Sequence, residues 1–449
     1  MAEMLDEDAA ARRAGAVLAA LAARGIHAGD RVAVVAQNGG AFVAARDAAT
    51  VAGLALVPIN PRLAPAEIAW IAHARRGARR QRARGRARDA IDVDALAPAA
   101  PVALDHAAAG ATVLYTSGTT GRPKGCWRTA EQERARLAEL RASYALSAGD
   151  THLVVCPLAH SAPGSFLRAA RIAGARTAIA ARFTPEAFVD DVRALQASVV
   201  FLVPTQVHRL LALPPPGLGS LRAVIVAGAP FAPAHKAAFE AWLGPGRLHE
   251  FYGSSETGTV AVIGPTEHAA HLGTVGRPPP GVSVQVHDGE LFVRSPAVMS
   301  GYLSDDGTAL APLEARDGHI SVGDLGTIDA DGYLTLVDRK HDTIITGGLN
   351  VYPAEVERAL VALPGVAGAV VFGVPDDAWG QLVAAVVATD DAALDGRALR
   401  AALRDALAGY KLPRAIAFCA SAELPIGSSG KALRRAARAA FAAHLARID

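Results

Sequence analysis

The run Leu114 to Gly125 (Leu-Tyr-Thr-Ser-Gly-Thr-Thr-Gly-Arg-Pro-Lys-Gly) packs the hydroxyls of Thr116, Ser117, Thr119 and Thr120, the glycines Gly118, Gly121 and Gly125, and Lys124 into one short loop. Glycines permit unusual backbone angles and close approach to a ligand. Hydroxyls, exposed N–H groups and an ammonium suit the oxygens of a polyphosphate. The spacing is not that of P-loop nucleotidases, because Pro123 stands where that pattern needs its second glycine. A Gly/Ser/Thr turn without a ligand is the ordinary structural alternative.

Other residues could share this chemistry. Glu256 follows Tyr252-Gly253-Ser254-Ser255, and a carboxylate beside hydroxyls suits Mg²⁺, a hard cation that takes oxygen ligands. Tyr252 offers a flat face to a purine, where stacking is worth ~1–3 kcal/mol. Asp324, in Val322-Gly323-Asp324-Leu325, could accept hydrogen bonds from a cis-diol, as carboxylates do in dinucleotide sites. Each has a plain alternative: a turn glutamate with a packed tyrosine, and a turn aspartate beside glycine. Lys431 follows Gly430 on a loop entering a helix, where a lysine is usually a solvated charge. His160 stands just after the strand Thr151–Cys156 and could line a pocket or only hydrogen-bond at the strand end. Gly347-Gly348 precede a helix starting at Pro353; side-chain-free backbone there suits a thin, extended ligand, or a turn.

These motifs, in this order, closely resemble the adenylate-forming superfamily of acyl-CoA synthetases, luciferases and peptide-synthetase adenylation domains. The resemblance runs from about Val17 to the C-terminus. It implies that Thr116 to Gly121 and Lys124 cradle the phosphates of ATP. It also implies that Tyr252 stacks on adenine, Ser255 contacts the α-phosphate with Gly253 and Ser254 part of the same nucleotide-binding motif, and Glu256, with Thr116, holds Mg²⁺. Gly228, Ala229 and Pro230 would border adenine and the acyl pocket, and Asp324 with Arg339 would hold the ribose. His160 would gate the acyl pocket, and Gly347 and Gly348 would line a tunnel for the pantetheine arm of coenzyme A. Lys431 would stabilise charge between the attacking carboxylate and the α-phosphate, where an ammonium at ~4 Å is worth about 4 kcal/mol. The implied activity is ATP-dependent ligation of a small-molecule carboxylate to CoA, the acid being medium-chain fatty, alicyclic or aryl. An acyl carrier protein as acceptor, or a nucleotide-binding relative with impaired catalysis, stays open. Three departures stand out: Val322 in place of a frequent threonine, Ile426-Gly427 after Pro425 in place of arginine and threonine, and His341 at a hinge position that more usually holds aspartate or lysine.

The elements that must position these residues read as α/β. With 449 residues the chain exceeds one typical core. Continuous apolar strands at Val199–Val203 and Ala223–Ala227 alternate with helices, which argues largely parallel sheets. Glu131 to Leu146 reads as a helix, and Thr184-Pro185 as a helix start. From Val282 the alternation Val282, Val284, Val286 and the Asp-Gly turns indicate a small antiparallel β subdomain. The expected architecture is a large N-terminal domain (1–338) of mostly parallel sheets with helices, its β subdomain near 275–338, followed by a small mobile α+β domain (339–449).

Hydrophobic content of 51% and charged content of 20% exclude a disordered chain. A net charge of +2 gives no case for nucleic acid, and no apolar run reaches spanning length. Cys126, Cys156 and Cys419 have no metal-ligand spacing and read as free thiols. With an acidic N-terminus that lacks signal-peptide character, the expectation is a cytoplasmic enzyme without a membrane span. One stretch breaks the pattern. From Arg75 to Arg88 there are eight arginines and no branched apolar residue, where the resemblance calls for a strand. A solvated basic loop, a nucleic-acid patch and a local shift of reading frame are the three readings, the second disfavoured for want of aromatic residues.

Overall fold

The computed structural model describes residues 1–63, 65–74, 91–97, 99–116, 123–305, 307, 309–347, 349–426 and 433–448. Arg75 to Arg88, Ser117 to Gly121, Gly348 and Lys431 therefore lie outside the described residues.

After the two-residue strand Glu3–Met4, three helices and two strands alternate. Helix α1 (Glu7–Ala22) starts on Asp6, whose carboxylate accepts from the Ala9 N–H at 2.9 Å. Strand β1 (Arg31–Val35), helix α2 (Gly40–Val51), strand β2 (Ala55–Ile59) and helix α3 (Pro65–Ala74) follow. β1 and β2 run parallel, and β2 meets β3 (Thr112–Thr116) at Leu56 and Thr112. β3 then turns back antiparallel into β4 (Lys124–Arg128).

Helix α4 (Ala130–Ser143) begins in a reciprocal capping box: Gln132 N–H donates to Thr129 Oγ1 at 3.3 Å and Thr129 N–H to Gln132 Oε1 at 2.9 Å. Strand β5 (Thr151–Val154) leads into α5 (Ser161–Ile172), and β6 (Arg176–Ile179) follows. Thr184 and Pro185 start the next helix as expected, Thr184 Oγ1 accepting from Ala187 N–H. β7 (Val199–Leu202) and β8 (Ala223–Val226) are buried at every residue, as parallel strands covered on both faces must be. β9 (Leu248–Ser254) and β10 (Gly258–Ile263) complete a seven-stranded second sheet, parallel from β6 through β5, β7 and β8 to β9, with β10 antiparallel at one edge and the short strand Glu3–Met4 antiparallel to β6 at the other. Its core gathers Phe166, Phe201, Phe239 and Trp242.

A third sheet is antiparallel throughout: β11 (Ser283–His287), β12 (Glu290–Arg294), β14 (His319–Ile328) and β15 (Leu334–Arg339). Within this span β13 (Gly301–Leu303) returns to pair with β4 of the first sheet. After the short turn Lys340–Asp342 comes an α+β unit, with the hairpin β16 (Ile344–Thr346) and β17 (Leu349–Val351), the helix Pro353–Val361, and strands β18 (Gly368–Asp376), β19 (Gly380–Ala388) and β20 (Ala415–Cys419). Mixed sheets, an antiparallel subdomain and a terminal α+β unit agree with the expected class. Just after β7, Pro204 starts the helix Pro204–Leu210, since its missing N–H is no loss at a first helical position. The helix from Pro353 ends at Val361. All three cysteines are buried and free, and among the described residues no helix is long and apolar enough to cross a membrane.

Two buried histidines make the fold sensitive to acid. Burial pushes His152 and His268 down to about 4, so both rings are neutral at pH 7. An unfolded histidine titrates near ~6.5, so between these values the unfolded chain binds more protons. The stability this confers is complete above pH ~6.5 and is lost as pH falls through the folded value, up to roughly 3 kcal/mol per ring. Urea midpoints should therefore fall steeply between pH ~6.5 and ~4, and less steeply in His152→Leu. Midpoints that stay level across that window would overturn the assignment.

Candidate active site

Strand register brings the candidate residues together. Asp324 lies within β14 rather than in a turn, directly opposite Arg339 of β15. That pairing puts Arg339 Nε 3.0 Å from Asp324 Oδ1. From the end of β9, Tyr252 reaches the same carboxylate, its hydroxyl donating to Asp324 Oδ2 at 2.5 Å. Burial and the Asp324 charge push the Tyr252 phenol well above its ordinary value, so it stays a donor. Asp324 itself is buried.

Glu256 is held a few residues away, in the turn between β9 and β10. Ser254 Oγ accepts from the Glu256 and Thr257 N–H groups, both at 3.1 Å, and Thr257 Oγ1 accepts from the Ser254 N–H at 3.1 Å. Tyr252 to Ser254, expected in a loop, are the last residues of β9, with a register shift at Tyr252/Gly253. Only glycine fits at 253, since a Cβ there would lie 2.1 Å from the Gly258 carbonyl oxygen. The Ser255 carbonyl accepts from Arg128 Nη2, and the Glu256 carbonyl accepts from Met299 N–H at 2.8 Å.

Two residues that sequence reasoning missed complete this corner. Tyr302, on β13, donates its hydroxyl to Glu256 Oε1 at 2.9 Å, and Lys124 Nζ sits 5.2 Å from the centre of the Tyr302 ring. Arg128, 1% exposed, joins Glu133 Oε1 at 3.1 Å to the Ser255 carbonyl. No spacing motif marks either one: Tyr302 reaches Glu256 through the pairing of β13 with β4, and Arg128 reaches Ser255 across two sheets.

The phosphate-loop motif is the connection of the β3–β4 hairpin. Thr116 and Lys124 are its last paired residues, so they flank Ser117 to Gly121 directly. Thr116 Oγ1 lies 4.0 Å from Cys126 Sγ, a buried thiol pushed well above its ordinary value by burial and by Glu256. The carboxyl ends of β5, β7, β8 and β9 lie side by side in one sheet, where ligands sit in open α/β folds. His160 and Gly228 to Pro230 follow two of them; Gly228 and Pro230 are exposed and Ala229 half-buried. His160 is the N-cap of α5, with Nε2 3.4 Å from Asn60 Nδ2. Gly347 lies apart, in the β16–β17 hairpin, its N–H donating to the Trp379 carbonyl at 2.8 Å.

The donor set fits a nucleotide with a hard cation. Glu256 is a single buried carboxylate beside hydroxyls, as expected for a metal that shares its ligands with phosphate oxygens. Among the described residues no group of three or more His, Cys, Asp or Glu gathers to hold a metal. Asp324 presents a fixed carboxylate to a diol, and Lys124 a cation at the mouth of a hydroxyl-rich loop.

Known proteins show the same organisation. The AMP-binding enzyme profile matches residues 8–78 and 75–303, and the AMP-binding enzyme C-terminal domain profile matches 355–431. The first match is split where the arginine run begins. A feruloyl-CoA synthase from Amycolatopsis sp is 34% identical over 96% of this chain and 92% of its own. The amide bond synthetase McbA from Marinactinospora thermotolerans superimposes with a TM-score of 0.82 at 29% identity, covering 96% of this chain and 94% of its own. The o-succinylbenzoate CoA synthetase MenE from Bacillus subtilis, solved with its acyl-adenylate intermediate, gives 0.80 at 26% identity over 95% and 91%.

Arg128 is the testable hub of this geometry. Arg128→Met leaves Glu133 with Arg168 and Thr112, frees the Ser255 carbonyl, and should cost about 1–3 kcal/mol in chemical denaturation. A loss below ~1 kcal/mol, the range of an exposed ion pair, would show that Arg128 does not brace the turn.

Proposed function

We propose that this chain, which belongs to the AMP-binding enzyme family, is an ATP-dependent acyl-CoA ligase for a medium-chain, alicyclic or aryl carboxylic acid. The observation that carries this reading is the Tyr252–Asp324–Arg339 cluster beside the Glu256 turn: a ribose-binding carboxylate fixed next to a metal-binding one.

In the first step a carboxylate oxygen of the acid attacks the α-phosphorus of ATP. The bond to the bridging oxygen breaks and pyrophosphate leaves with the electron pair. In the second step a thiolate attacks the mixed-anhydride carbonyl, and AMP departs with the electrons of the C–O bond. Both steps require charge neutralisation and alignment more than an acid–base pair. Asp324 and Arg339 orient the ribose, and Tyr252 presents its ring to the base. Lys124 and the hydroxyls of the β3–β4 connection take the phosphates. Glu256 with Thr116 would hold Mg²⁺, which would supply neutralising charge to the departing pyrophosphate. Tyr302 fixes the Glu256 carboxylate. Lys431 serves adenylation, His160 borders the acyl pocket, and Gly347 with Gly348 serves the thiol step after the 339–449 domain swings about Arg339 to Asp342. The breadth of acid type rests on the small residues Ala159, Ser161, Ala162 and Gly164 after β5, with the feruloyl- and succinylbenzoate-activating relatives in support.

The amide bond synthetase among the structural neighbours supports a second reading for the acceptor, an amine in place of the thiol. A carrier-protein phosphopantetheine is the third acceptor to test.

Pyrophosphate release with MgATP should be followed across short, medium, long and aromatic acids, with CoA, an amine, or no acceptor. Turnover that requires CoA supports the ligase. Turnover only with amine, or a stoichiometric burst unmoved by either, would reassign the acceptor. Lys431→Ala should abolish acyl-AMP formation while sparing use of a pre-made acyl adenylate; unchanged ATP-dependent turnover would refute its role. Tyr302→Phe should lower adenylation about 10-fold and raise the Mg²⁺ concentration required, as loss of an outer-shell ligand contact does. An unaltered Mg²⁺ dependence would remove Tyr302 from the site.

A further inference from the structure

On the opposite side of α5 from Phe166, a small cavity lies between α2, the paired β2 and β3, α4 and the first turns of α5. Arg46, Thr50, Glu133, His160, Ser161 and Arg168 are among its lining residues. Its charges do not balance. Glu133 is fully engaged, accepting from Thr112 Oγ1 at 2.8 Å, Arg128 at 3.1 Å and Arg168 at 3.2 Å. Asp47, the other carboxylate on this side of α2, is taken by both Nη atoms of Arg171 at 2.9 Å.

Arg46 has no carboxylate hydrogen-bonded to it among the described residues; its Cζ lies 5.1 Å from the centre of the Phe42 ring. It is 6% exposed, and among the described residues its guanidinium makes one hydrogen bond, Nη1 to the Gly164 carbonyl at 2.8 Å, while Nε has none. A guanidinium carries five N–H donors, so most of its capacity is unused. The close packing is specific: a Cβ on Gly164 would lie 2.6 Å from Arg46 Nη2. Burial pushes this guanidinium down to about 9, which still leaves it charged at neutral pH. Ser161 Oγ is also buried without a partner. Ser161 is the first residue of α5, a helix of 12 residues whose N-cap, His160, places no side-chain hydrogen bond on the first turn. A buried cation, an unpaired hydroxyl and an uncapped helix start thus meet at one wall, and all three favour negative charge.

We propose that this cavity is an anion site that takes a carboxylate-sized oxyanion between Arg46 and Ser161. The anion has two sources: a free small carboxylate, or the far carboxylate of a dicarboxylic acyl substrate. The second rests on the ligase reading above; the first does not.

Thermal unfolding in formate, against chloride at equal ionic strength, reads the site without any activity. Formate should raise the wild-type melting temperature saturably by several degrees and leave Arg46→Met unmoved. In chloride alone Arg46→Met should match or exceed wild type, because it removes a buried charge to which no carboxylate is hydrogen-bonded among the described residues. If Arg46→Met does not fold, Ser161→Ala carries the test through a weakened formate response. No formate effect, with Arg46→Met less stable than wild type, would make Arg46 a structural cation on the Gly164 carbonyl and overturn the proposal. The source is read from matched acids with and without a far carboxylate. A preference of about tenfold or more for the diacid that falls to parity in Arg46→Met, the size expected from one charged contact, identifies the substrate. A formate response with no such preference identifies a free ion.

Discussion

Arg128 is the contact on which the site geometry depends. It closes β4 of the first sheet, pairs with Glu133 on α4, and reaches the Ser255 carbonyl in the turn that ends β9 of the second sheet. One guanidinium therefore ties two separately folded sheets at the point where Glu256 must be held. A buried ion pair of this kind contributes little net stability over an apolar replacement, because desolvation offsets most of the Coulomb attraction. Its value is specificity of arrangement. Five fixed donors can hold a carboxylate and a carbonyl in one geometry, which an aliphatic side chain cannot do.

From this joint outward, the candidate residues are placed by pairing rather than by proximity in sequence. Asp324 meets Arg339 because β14 and β15 pair in that register, and a slip of one residue would turn Asp324 to the other face of the sheet. Tyr302 meets Glu256 because β13 adds to the edge of β4, opposite Cys126. Lys124 flanks the phosphate-loop motif because it pairs with Thr116. Each partner comes from a different sheet or hairpin, so misfolding of any one sheet would disperse the site.

This explains what was legible in the sequence. The buried strands β7 and β8 read directly as continuous apolar runs, and Thr184-Pro185 announced its helix, since both signals are local. The antiparallel subdomain showed itself through valine alternation and Asp-Gly turns. The motif residues were recognisable because each cluster is contiguous. Tyr302 and Arg128 were not, as their roles arise only when β13 pairs with β4 and the turn after β9 meets Arg128. Asp324 could be read as a turn residue on its glycine neighbour, and lies in a strand; at Gly253 the glycine serves a bulge and a close backbone approach. The branched-apolar gap from Arg75 to Arg88 was legible as a break, and the split family match falls at its start; its structure lies outside the described residues.

The protonation states argue for what kind of chemistry this site can do. Tyr252, Tyr302 and Cys126 are all pushed up, chiefly by burial and next by the carboxylates beside them. Near pH 7 each is therefore a neutral hydrogen-bond donor, not a nucleophile, and each neighbours Asp324 or Glu256. Those two carboxylates in turn have neighbours of fixed charge, Arg339 beside one and Lys124 across the Tyr302 ring from the other. Such a site changes little in protonation as a reaction proceeds, so it must act by holding charge and geometry in place. That is what in-line displacement at a phosphorus requires: the leaving group's charge met by pre-set cations, and both reactants held so that little reorganisation remains to be made.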